Sequence, residues 1–529
     1  MSLILTLLTL PASPFALAQT LESAASIANV DSERRVDVNE YIVRGNTVLD
    51  VRAIEKAVMP FLGPAKTLKD LEGARDALLA AYQSRGYQSV YVDVPVQPMT
   101  HGVVIVLVSE TKVGRVRVVG AQYSSPLAVR DQVPALKEGE VPDFNQAQAE
   151  LTALNRTGAR QVMPLVKQGS LPQTMDIDLK VEDSRPWRSS VGLNNDASPD
   201  TEELRALASI GHDNLWQRGH SASVSFFVAP ENMAETNVWS ASYAAPIPGS
   251  NWSLEASGYI SDSDVATVGG TTVLGKGHSV GLRGTYTAPN AGSWWHTFSA
   301  GMDFKDNDEA LTFEDTGDFV ALKYAPITLS YSGFTQSEHM QLGLGLSTVI
   351  GTRSFFGYSS DWAQFDYKRY RASPSFMVLK SDVTGTYTFA NGMQLGVRFA
   401  GQMTDSPLVS SEQIAAGGMN SVRGYLSAEA TGDYGITGSV EWRTMPINWL
   451  APWVDGWRAY LFVDGAHLRL KDGLPEQDSR FTLFSAGLGT TFRIAQYITG
   501  RLDVGYPFET SLRTERDDAR LNFSLNASY

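Results

Sequence analysis

One stretch of this sequence places an arginine among glycines, in a spacing that would let a loop turn sharply and anchor itself through an ion pair. Residues 417–425 read Gly-Gly-Met-Asn-Ser-Val-Arg-Gly-Tyr, so Arg423 lies between glycines. Glycine lets the backbone turn sharply on either side of the arginine. A guanidinium pairs bidentately with carboxylates, and Glu441 and Asp464 are candidate partners further along the chain. The predicted chemistry is an ion-pair anchor; without a partner, Arg423 would be a solvated loop arginine.

The other motifs with chemical potential do not assemble into a catalytic or metal site. Residues 270–276 spell the front of a phosphate-binding loop, but Gly277 stands where a Ser or Thr is needed and no helix is predicted to follow. The seven histidines lack the spacing of metal ligands, and no serine nucleophile elbow occurs. Cysteine is absent, which removes disulfides and thiolate chemistry. The sequence therefore predicts no enzyme, no metal and no cofactor.

Composition and charge narrow the class of protein. The 529 residues are 43% hydrophobic and 19% charged, with a net charge of −14 and a pI near 5.1. This acidity argues against a nucleic-acid partner, because phosphate backbones are bound by basic surfaces. Beyond the first ten residues, no segment approaches the roughly 18 uninterrupted apolar residues of a membrane-spanning helix. Any membrane crossing must therefore be made by strands.

From about residue 186 onward, alternating apolar and polar residues recur in segments of about ten, separated by turn residues. In the last segment, Leu521, Phe523 and Leu525 alternate with Asn522 and Ser524. This period of two indicates strands with one apolar face. The sixteen predicted strands lie at 186–197, 203–216, 220–230, 236–246, 252–263, 278–288, 294–306, 318–333, 338–350, 367–389, 392–404, 434–446, 457–468, 482–494, 497–508 and 519–529.

The apolar face of such strands points either into a soluble sandwich or outward at lipid, and alternation alone leaves both open. Three features favour an antiparallel transmembrane barrel. The strand count is even; tryptophans such as Trp187, Trp216 and Trp295 gather near predicted strand ends, as an interfacial girdle would; and the chain ends on Tyr529 within a strand. We therefore expect an all-β barrel of sixteen strands over residues 189–529.

Two repeats precede the predicted barrel, at residues 37–112 and 113–188. Each has the order β-α-α-β-β, and in the first repeat Thr67 and Asp70 form a capping-box-like start to the second helix. An open sheet edge in such a small unit can accept an extended peptide by strand addition. The predicted strands are 41–44, 89–95 and 102–109 in the first repeat, and 114–120, 161–167 and 175–181 in the second.

The first residues indicate export. Residues 3–10 are an apolar run, and Ala16-Leu17-Ala18 before Gln19 is a small-x-small cleavage site. We therefore predict a signal peptide at 1–18 and an N-terminal segment at 19–36. No Lys or Arg occurs before Arg34, so the basic start of a standard signal peptide is missing.

The loop motif and the repeats together resemble a known family. The segment between the eleventh and twelfth predicted strands resembles the GG-x-x-S-V-R-G-Y pattern of barrels that bear POTRA domains. Within that superfamily the chain resembles the two-partner (type Vb) secretion transporters, the TpsB or haemolysin-activator family, which carry two POTRA domains. The resemblance implies two α+β POTRA repeats followed by a β-barrel in a Gram-negative outer membrane. The matching residues are Gly417, Gly418, Ser421, Val422, Arg423, Gly424 and Tyr425.

The resemblance also implies partners for this loop, which folds back into the barrel lumen in the family. A family motif on the thirteenth strand, F-x-D-x-G, is similar to residues 462–466. Phe462 and Asp464 fit it, but the glycine, Gly465, is displaced by one position. Glu441 stands where the superfamily often has a lumen-facing carboxylate on the twelfth strand.

By this resemblance, the protein exports a partner exoprotein through its pore, and the POTRA domains recognise that partner in the periplasm. Barrel assembly machinery is an implied partner during biogenesis, reading Phe523, Leu525 and Tyr529 as the membrane-insertion signal. The lipid bilayer with its lipopolysaccharide is the other implied partner. Arg423 and Asp464 would hold the lumen loop in a transport-competent position. An insertase for other barrels is the alternative, and a passive pore is disfavoured because it needs no POTRA repeats.

Overall fold

The computed structural model describes residues 35–98, 101–155, 160–199, 201–233, 236–262, 265–268, 271–274, 276–307, 310–311, 318–319, 321–447 and 453–529. The predicted signal peptide, nearly all of the 19–36 segment and part of the 270–277 motif lie outside these residues. The chain divides into two compact units, at 1–184 and 185–529. Within the described ranges, no helix has the length and apolar character needed to cross a membrane.

The first repeat has the predicted order of strands and helices, with two short strands added. Its elements are β1 (Val36–Val38), β2 (Glu40–Arg44), α1 (Val51–Val58), a 3-10 turn (Met59–Phe61), β3 (Gly63–Lys66), α2 (Leu68–Ser84), β4 (Val90–Asp93) and β5 (Val103–Glu110). Strand β5 is central, parallel to β2 and antiparallel to β4. Strands β1 and β3, which the sequence pattern did not indicate, pair separately.

Helix α2 supplies the apolar face that covers this sheet. It begins at the predicted capping box, where the Thr67 amide donates to the Asp70 carboxylate at 2.8 Å. Because apolar residues three and four positions apart share a helix face, one stripe can be buried while the rest stays polar. The buried residues are Leu71, Ala74, Leu78 and Tyr82.

The second repeat has the same architecture. Its elements are β6 (Lys112–Val119), α3 (Pro126–Asp131), a 3-10 turn (Pro134–Leu136), α4 (Phe144–Leu154), β7 (Arg160–Gln168) and β8 (Thr174–Asp183). Strand β8 is central, parallel to β6 and antiparallel to β7. Its Ile177 and Leu179 pack on Val129 of α3 and Leu151 of α4. Among the described residues, β6 and β7 pair on one side only and are edge strands.

The second unit is a closed antiparallel barrel with the predicted sixteen strands, since β20 and β21 together make the eighth. Six further short strands form hairpins that are not part of the barrel wall: β14 with β15, β18 with β19, and β25 with β26. The elements are β9 (Trp187–Asn194), β10 (Arg205–Leu215), β11 (His220–Val228), β12 (Asn237–Pro246), β13 (Trp252–Asp262), β14 (Val265–Val268), β15 (Thr271–Leu274), β16 (Gly277–Ala291), β17 (Trp294–Asn307), β18 (Ala310–Leu311), β19 (Asp318–Phe319), β20 (Leu322–Tyr324), β21 (Ile327–Gln336), β22 (Met340–Ile350), α5 (Trp362–Lys368), β23 (Met377–Thr388), β24 (Gln394–Thr404), a 3-10 turn (Ser410–Glu412), β25 (Ile414–Ala416), β26 (Ala430–Gly432), β27 (Tyr434–Arg443), β28 (Val454–Arg469), β29 (Arg480–Ile494), β30 (Ile498–Pro507) and β31 (Arg520–Ser528).

The exposure of alternate residues decides between a membrane barrel and a soluble sandwich. On β30, the apolar Leu502 and Val504 are exposed on the outside, whereas the charged Asp503 between them is buried inside. A soluble sandwich would bury the apolar row. The apolar row instead covers the outer wall, as contact with lipid requires.

One predicted strand was too long. The tenth was placed at 367–389, but its first residues belong to helix α5 and a connecting segment, and β23 begins only at Met377. The reason is a helix start that the alternation obscured, because Asp361 and Gln364 form a capping box at the start of α5. The first barrel strand begins at Trp187, slightly before the predicted domain boundary at 189.

Candidate functional site

The loop that joins β24 to β27, residues 405–433, carries the predicted motif and contacts inward-facing residues of the barrel wall. Strands β25 and β26 pair to form its stem. Gly417 (φ 113°) and Gly418 (φ 88°) turn the chain at the end of this stem, in a backbone region that favours glycine. The Met419 amide then donates to Asp196, just after β9, at 2.9 Å. The turn directs the rest of the motif toward the inner wall.

Arg423 lies against that inner wall with no exposed surface. Its Nε and Nη2 donate to Oδ2 and Oδ1 of Asp464 on β28 at 2.6 and 2.7 Å. Nη1 donates to Oε1 of Glu441 on β27 at 2.7 Å, and Nη2 also donates to Ser439 Oγ at 3.0 Å. The structure thus brings the two carboxylates singled out in the sequence to the arginine, which is not a solvated loop residue.

Burial makes this geometry consequential. Removing an ion from water costs several kcal/mol unless it is paired and hydrogen-bonded, and the two-pronged contact with Asp464 satisfies both requirements. Phe462 lies on the same face of β28 as Asp464, with its ring centre 3.5 Å from the Arg423 guanidinium carbon. An aromatic face at this distance attracts a cation. The ring of Phe462 therefore packs against the Arg423 guanidinium, while the Asp464 carboxylate binds its Nε and Nη2.

A third carboxylate, Asp503 on β30, completes the cluster and was not singled out in the sequence. Its Oδ1 lies 3.7 Å from Arg423 Nη1, and its Oδ2 lies 2.6 Å from Arg501 Nε. Glu441 similarly binds Arg443, Nη2 to Oε2, at 2.6 Å. The signal was present, because alternation places Arg501 and Asp503 on the inner row of β30. Charged residues on a lumen-facing row are candidates for a buried ion pair, so the alternating pattern was a reason to include Arg501 and Asp503 among the site residues.

Two glycines let the loop approach β30 backbone to backbone. Gly424 has φ 93°, and a Cβ added to Gly505 of β30 would stand 2.5 Å from its nitrogen and 2.8 Å from the Arg423 carbonyl carbon. Such distances are too short for a side chain, so Arg423 reaches its partners only because Gly505 has none. The sequence motif includes Gly424, whereas Gly505 belongs to no motif and lies within the predicted strand 497–508.

Tyr425 fixes the far side of the motif. Its side chain is fully buried, and its hydroxyl lies 2.8 Å from the Glu509 carbonyl oxygen and 3.1 Å from that of Phe484. Ser421 takes no part in this network, because its buried Oγ has no hydrogen-bond partner within the described chain. Tyr425 therefore ties the loop to β29 and to the segment after β30.

The displaced glycine of the F-x-D-x-G pattern has a visible consequence. Ala466 faces the lumen at the position of the pattern's glycine, and Gly465 faces outward. Ala466 packs in one buried apolar cluster with Val422, Tyr425 and Leu468. The extra methyl group thus fills space beneath the loop.

A second set of buried contacts lies at the base of the loop, where no sequence motif marks it. Glu412 Oε1 accepts from Lys305 Nζ of β17 at 2.6 Å and from the Tyr324 hydroxyl of β20 at 2.8 Å. Ser411 Oγ accepts from Asn307 Nδ2 of β17 at 2.8 Å. The loop is therefore attached to the wall at its base as well as around the motif.

The predicted insertion-signal residues lie on, or directly after, the strand that closes the barrel. Strand β31 pairs with β9, and Tyr529 and Ser189 exchange two backbone hydrogen bonds, at 2.9 and 3.0 Å. Leu525 and Tyr529 are exposed, and Phe523 is half-buried. Phe523 and Leu525 lie on the outer row of β31, and Tyr529 directly follows the strand.

The charged cluster is suited to holding the loop through Arg423 rather than to binding a metal ion. Asp464, Glu441 and Asp503 each face an arginine nitrogen at 2.6 or 2.7 Å, so their oxygens are already occupied by positive charge. Among the described residues, no group of three or more His, Asp or Glu side chains is arranged to hold a metal ion.

Family models and curated relatives match most of this chain. A model described as haemolysin secretion/activation protein ShlB/FhaC/HecB matches residues 173–492, and a model of the ShlB-type POTRA domain matches residues 36–111. The outer membrane transporter CdiB of Escherichia coli is 22% identical over 503 residues, covering 89% of this chain and 78% of the relative. CdiB of Dickeya dadantii is 21% identical over 508 residues, covering 92% and 85%.

Solved structures show a similar fold. CdiB from Escherichia coli has a TM-score of 0.64 at 17% identity, covering 98% of this chain and 99% of that one. CdiB from Acinetobacter baumannii has a TM-score of 0.59 at 15% identity, covering 97% and 98%. BamA from Haemophilus ducreyi lacking POTRA domains 1-3 has a TM-score of 0.52 at 14% identity, covering 94% and 100%. These likenesses concern the fold.

Proposed function

This chain belongs to the haemolysin secretion/activation protein family ShlB/FhaC/HecB, and from that premise we propose how it moves its partner. It is an outer-membrane transporter of a partner exoprotein, with POTRA repeats that face the periplasm. We propose that the Arg423 cluster holds the lumen loop in the position that transport requires. The supporting observation is the complete burial of Arg423 between Asp464 and Glu441.

Positioning matters because the loop shares the lumen with the exported chain. A loop free to move would meet an unfolded polypeptide in many conformations. The bidentate pair with Asp464 gives it one orientation, since the planar guanidinium fork fits a carboxylate in a fixed geometry. Arg423, Asp464 and Glu441 are therefore positioning residues in this proposal, and none acts chemically on the exported protein.

Recognition of the partner belongs to the open sheet edges of the POTRA repeats. Within the described part of the chain, strand β7 pairs only with β8, and its Leu165 and Val166 are about half exposed. An extended peptide can add to such an edge through main-chain hydrogen bonds, with alternate side chains setting specificity. The proposed partner is a haemolysin-, adhesin- or toxin-like exoprotein that arrives unfolded and docks as an added strand.

The barrel also needs partners for its own assembly. The alternating strand β31, with Phe523 and Leu525 on its outer row, and Tyr529 directly after it are the proposed signal for the barrel assembly machinery. Once inserted, the outward apolar rows contact the bilayer, and lipopolysaccharide is the proposed lipid around the outer half.

A deletion experiment separates the transporter from an insertase, which the fold likeness to BamA keeps as the second candidate. A transporter's loss removes one exoprotein, or a few, from the medium and leaves the other outer-membrane barrels at normal levels. An insertase's loss depletes many barrels. Quantitative proteomics of the outer membrane and the medium distinguishes them, and general barrel depletion would overturn the transporter proposal.

Two single variants test the role of the cluster. Arg423→Ala and Asp464→Ala are expected to abolish secretion of the exoprotein while the barrel remains inserted, as judged by surface labelling. Val463→Ala is the matched control, because Val463 lies between Phe462 and Asp464 but faces outward. Normal secretion by both cluster variants would refute the positioning role.

A further inference from the structure

The second attachment of the lumen loop suggests how the pore changes state. We propose that the contacts of Ser411 and Glu412 with β17 and β20 form a latch that releases during transport, while the Arg423 end stays in place. Glu412 and Lys305 are thus positioning residues that keep the loop across the lumen at rest. This inference rests on the proposed transport function.

The latch is a built site and not a chance surface contact. Glu412 is 2% exposed and Tyr324 1%, so the carboxylate depends on Lys305 and the Tyr324 hydroxyl for its hydrogen bonds. On β24, Gln402 Nε2 donates to the carbonyl oxygens of Glu412 and Asp433, at 2.9 and 3.0 Å. Both ends of the loop are therefore held together beside the latch.

The two attachments lie on different arcs of the wall. Arg423 and its partners hold the loop to β27, β28 and β30, whereas the latch holds it to β17 and β20. Strands β21, β22 and β23 separate β20 from β24, the strand after which the loop begins, in the closed ring. A loop fixed to both arcs spans the lumen between them, so an exported chain needs one attachment to yield.

The latch is the weaker of the two attachments. Arg423 makes two-pronged contacts and has no exposed surface. Lys305 offers a single ammonium, whose charge has no fixed orientation toward a carboxylate, and its side chain is 16% exposed. Leu408 and Val409 add apolar packing against Leu322 and Tyr324, which is non-directional and tolerates sliding. Release at the base therefore costs less than release at the tip.

A disulfide across the latch gives a direct test, because the chain contains no cysteine of its own. Asn307 Nδ2 and Ser411 Oγ lie 2.8 Å apart, so cysteines at these two positions would face each other across the latch. In planar bilayers, oxidised Asn307→Cys/Ser411→Cys is expected to have a strongly reduced open probability, and a reductant is expected to restore it. Gel mobility with and without reductant verifies the bond.

Matched controls keep the result specific. Ser223→Cys/Ser242→Cys joins β11 to β12 within the wall, where the two hydroxyls lie 2.9 Å apart, and oxidation there should change nothing. Glu412→Gln weakens the latch without a crosslink and should raise the open probability above the wild-type level. A verified latch disulfide that leaves open probability and secretion unchanged would overturn the proposal, as would a lowered open probability in Glu412→Gln.

Conductance needs no exported partner, so the two proposals fail separately. If reduction reopens the pore but the wild-type protein secretes no exoprotein, the export function fails and the latch stands. If secretion continues with the latch disulfide intact, the latch fails and export stands.

Discussion

The Arg423 cluster of the barrel and a cluster around Asp178 in the second POTRA repeat use the same chemistry in different surroundings. Asp178 on β8 accepts from Arg117 on β6, Nε to Oδ1, at 2.8 Å, and also from Lys167 on β7. Both cations are about half exposed to water. Arg423 instead has no exposed surface at all.

This difference teaches that an ion pair's importance depends on what would solvate it if broken. Although Asp178 is itself buried, water can solvate the half-exposed Arg117 and Lys167 if Asp178 is lost, so these pairs contribute little stability. Nothing replaces it in the Arg423 cluster, and a stranded buried charge is strongly destabilising. The POTRA cluster is therefore expected to tolerate change, whereas the barrel cluster should not.

The largest effect is expected from Asp464→Ala, which leaves Arg423 without its bidentate partner. Breaking a buried ion pair costs about 3–5 kcal/mol, and we expect a fall of that order in the barrel's unfolding free energy. Denaturant titration in detergent, followed by heat-modifiable gel mobility, measures it. Adding Arg423→Met should recover part of the stability but not secretion, since Glu441 keeps Arg443. If Asp464→Ala is as stable as the wild type, the Arg423 cluster does not differ from the POTRA cluster in its importance for stability.

A smaller loss is expected from Gly505→Ala, which leaves every charge in place. The new methyl group would press on the Gly424 nitrogen, and overpacking of this kind costs about 1–3 kcal/mol. Secretion should fall, because Arg423 can no longer reach its partners fully. Gly438→Ala is the control, since its Cβ would meet only one atom, at 3.8 Å. Equal secretion by both variants would show that backbone approach is unimportant.

Tyr425→Phe tests a neutral buried contact beside the charged one. It removes the hydroxyl that bonds the backbones of Phe484 and Glu509, and unsatisfied buried groups cost about 1–3 kcal/mol. We expect lower thermal stability with secretion reduced less than in Asp464→Ala. A loss of secretion as complete as that of Asp464→Ala would mean that charge is not what distinguishes this cluster.

The smallest effect is expected at the POTRA cluster. Hydrogen bonds from Arg117 and Lys167 lower the pKa of Asp178 to about 2, against about 3.9 in an unfolded chain. A lowered pKa stabilises the fold above about pH 4 and stops doing so as pH falls toward about 2. Hydrogen exchange of the full chain at pH 7 and pH 3 should show a small loss of protection in β8. Asp178→Asn should remove that pH dependence. If the pH dependence persists in this variant, a group other than Asp178 causes it.

Much of the architecture could be predicted because strand alternation and helix caps are local signals. The period of two along β31 and the Thr67–Asp70 capping box are both visible in short stretches of sequence. The same reliance on local pattern misplaced the tenth strand, where the start of α5 was missed. The latch was invisible for the opposite reason: Glu412 and Lys305 are 107 residues apart, and neither belongs to a motif.

The sequence by itself determined two repeats, sixteen alternating strands and a loop arginine flanked by glycines, and it named Glu441 and Asp464 as candidate partners. The tertiary structure decided that the apolar rows face outward, that the arginine is buried against both carboxylates, and that Asp503 joins them as a third. Pairing of Ser439 with Asp464 across β27 and β28 sets Glu441 and Asp464 on one inner surface, and closure of the ring brings Asp503 beside them. A shift of one residue in register would turn each carboxylate to the lipid face. Register and closure are properties of many strands together, and no single segment encodes them.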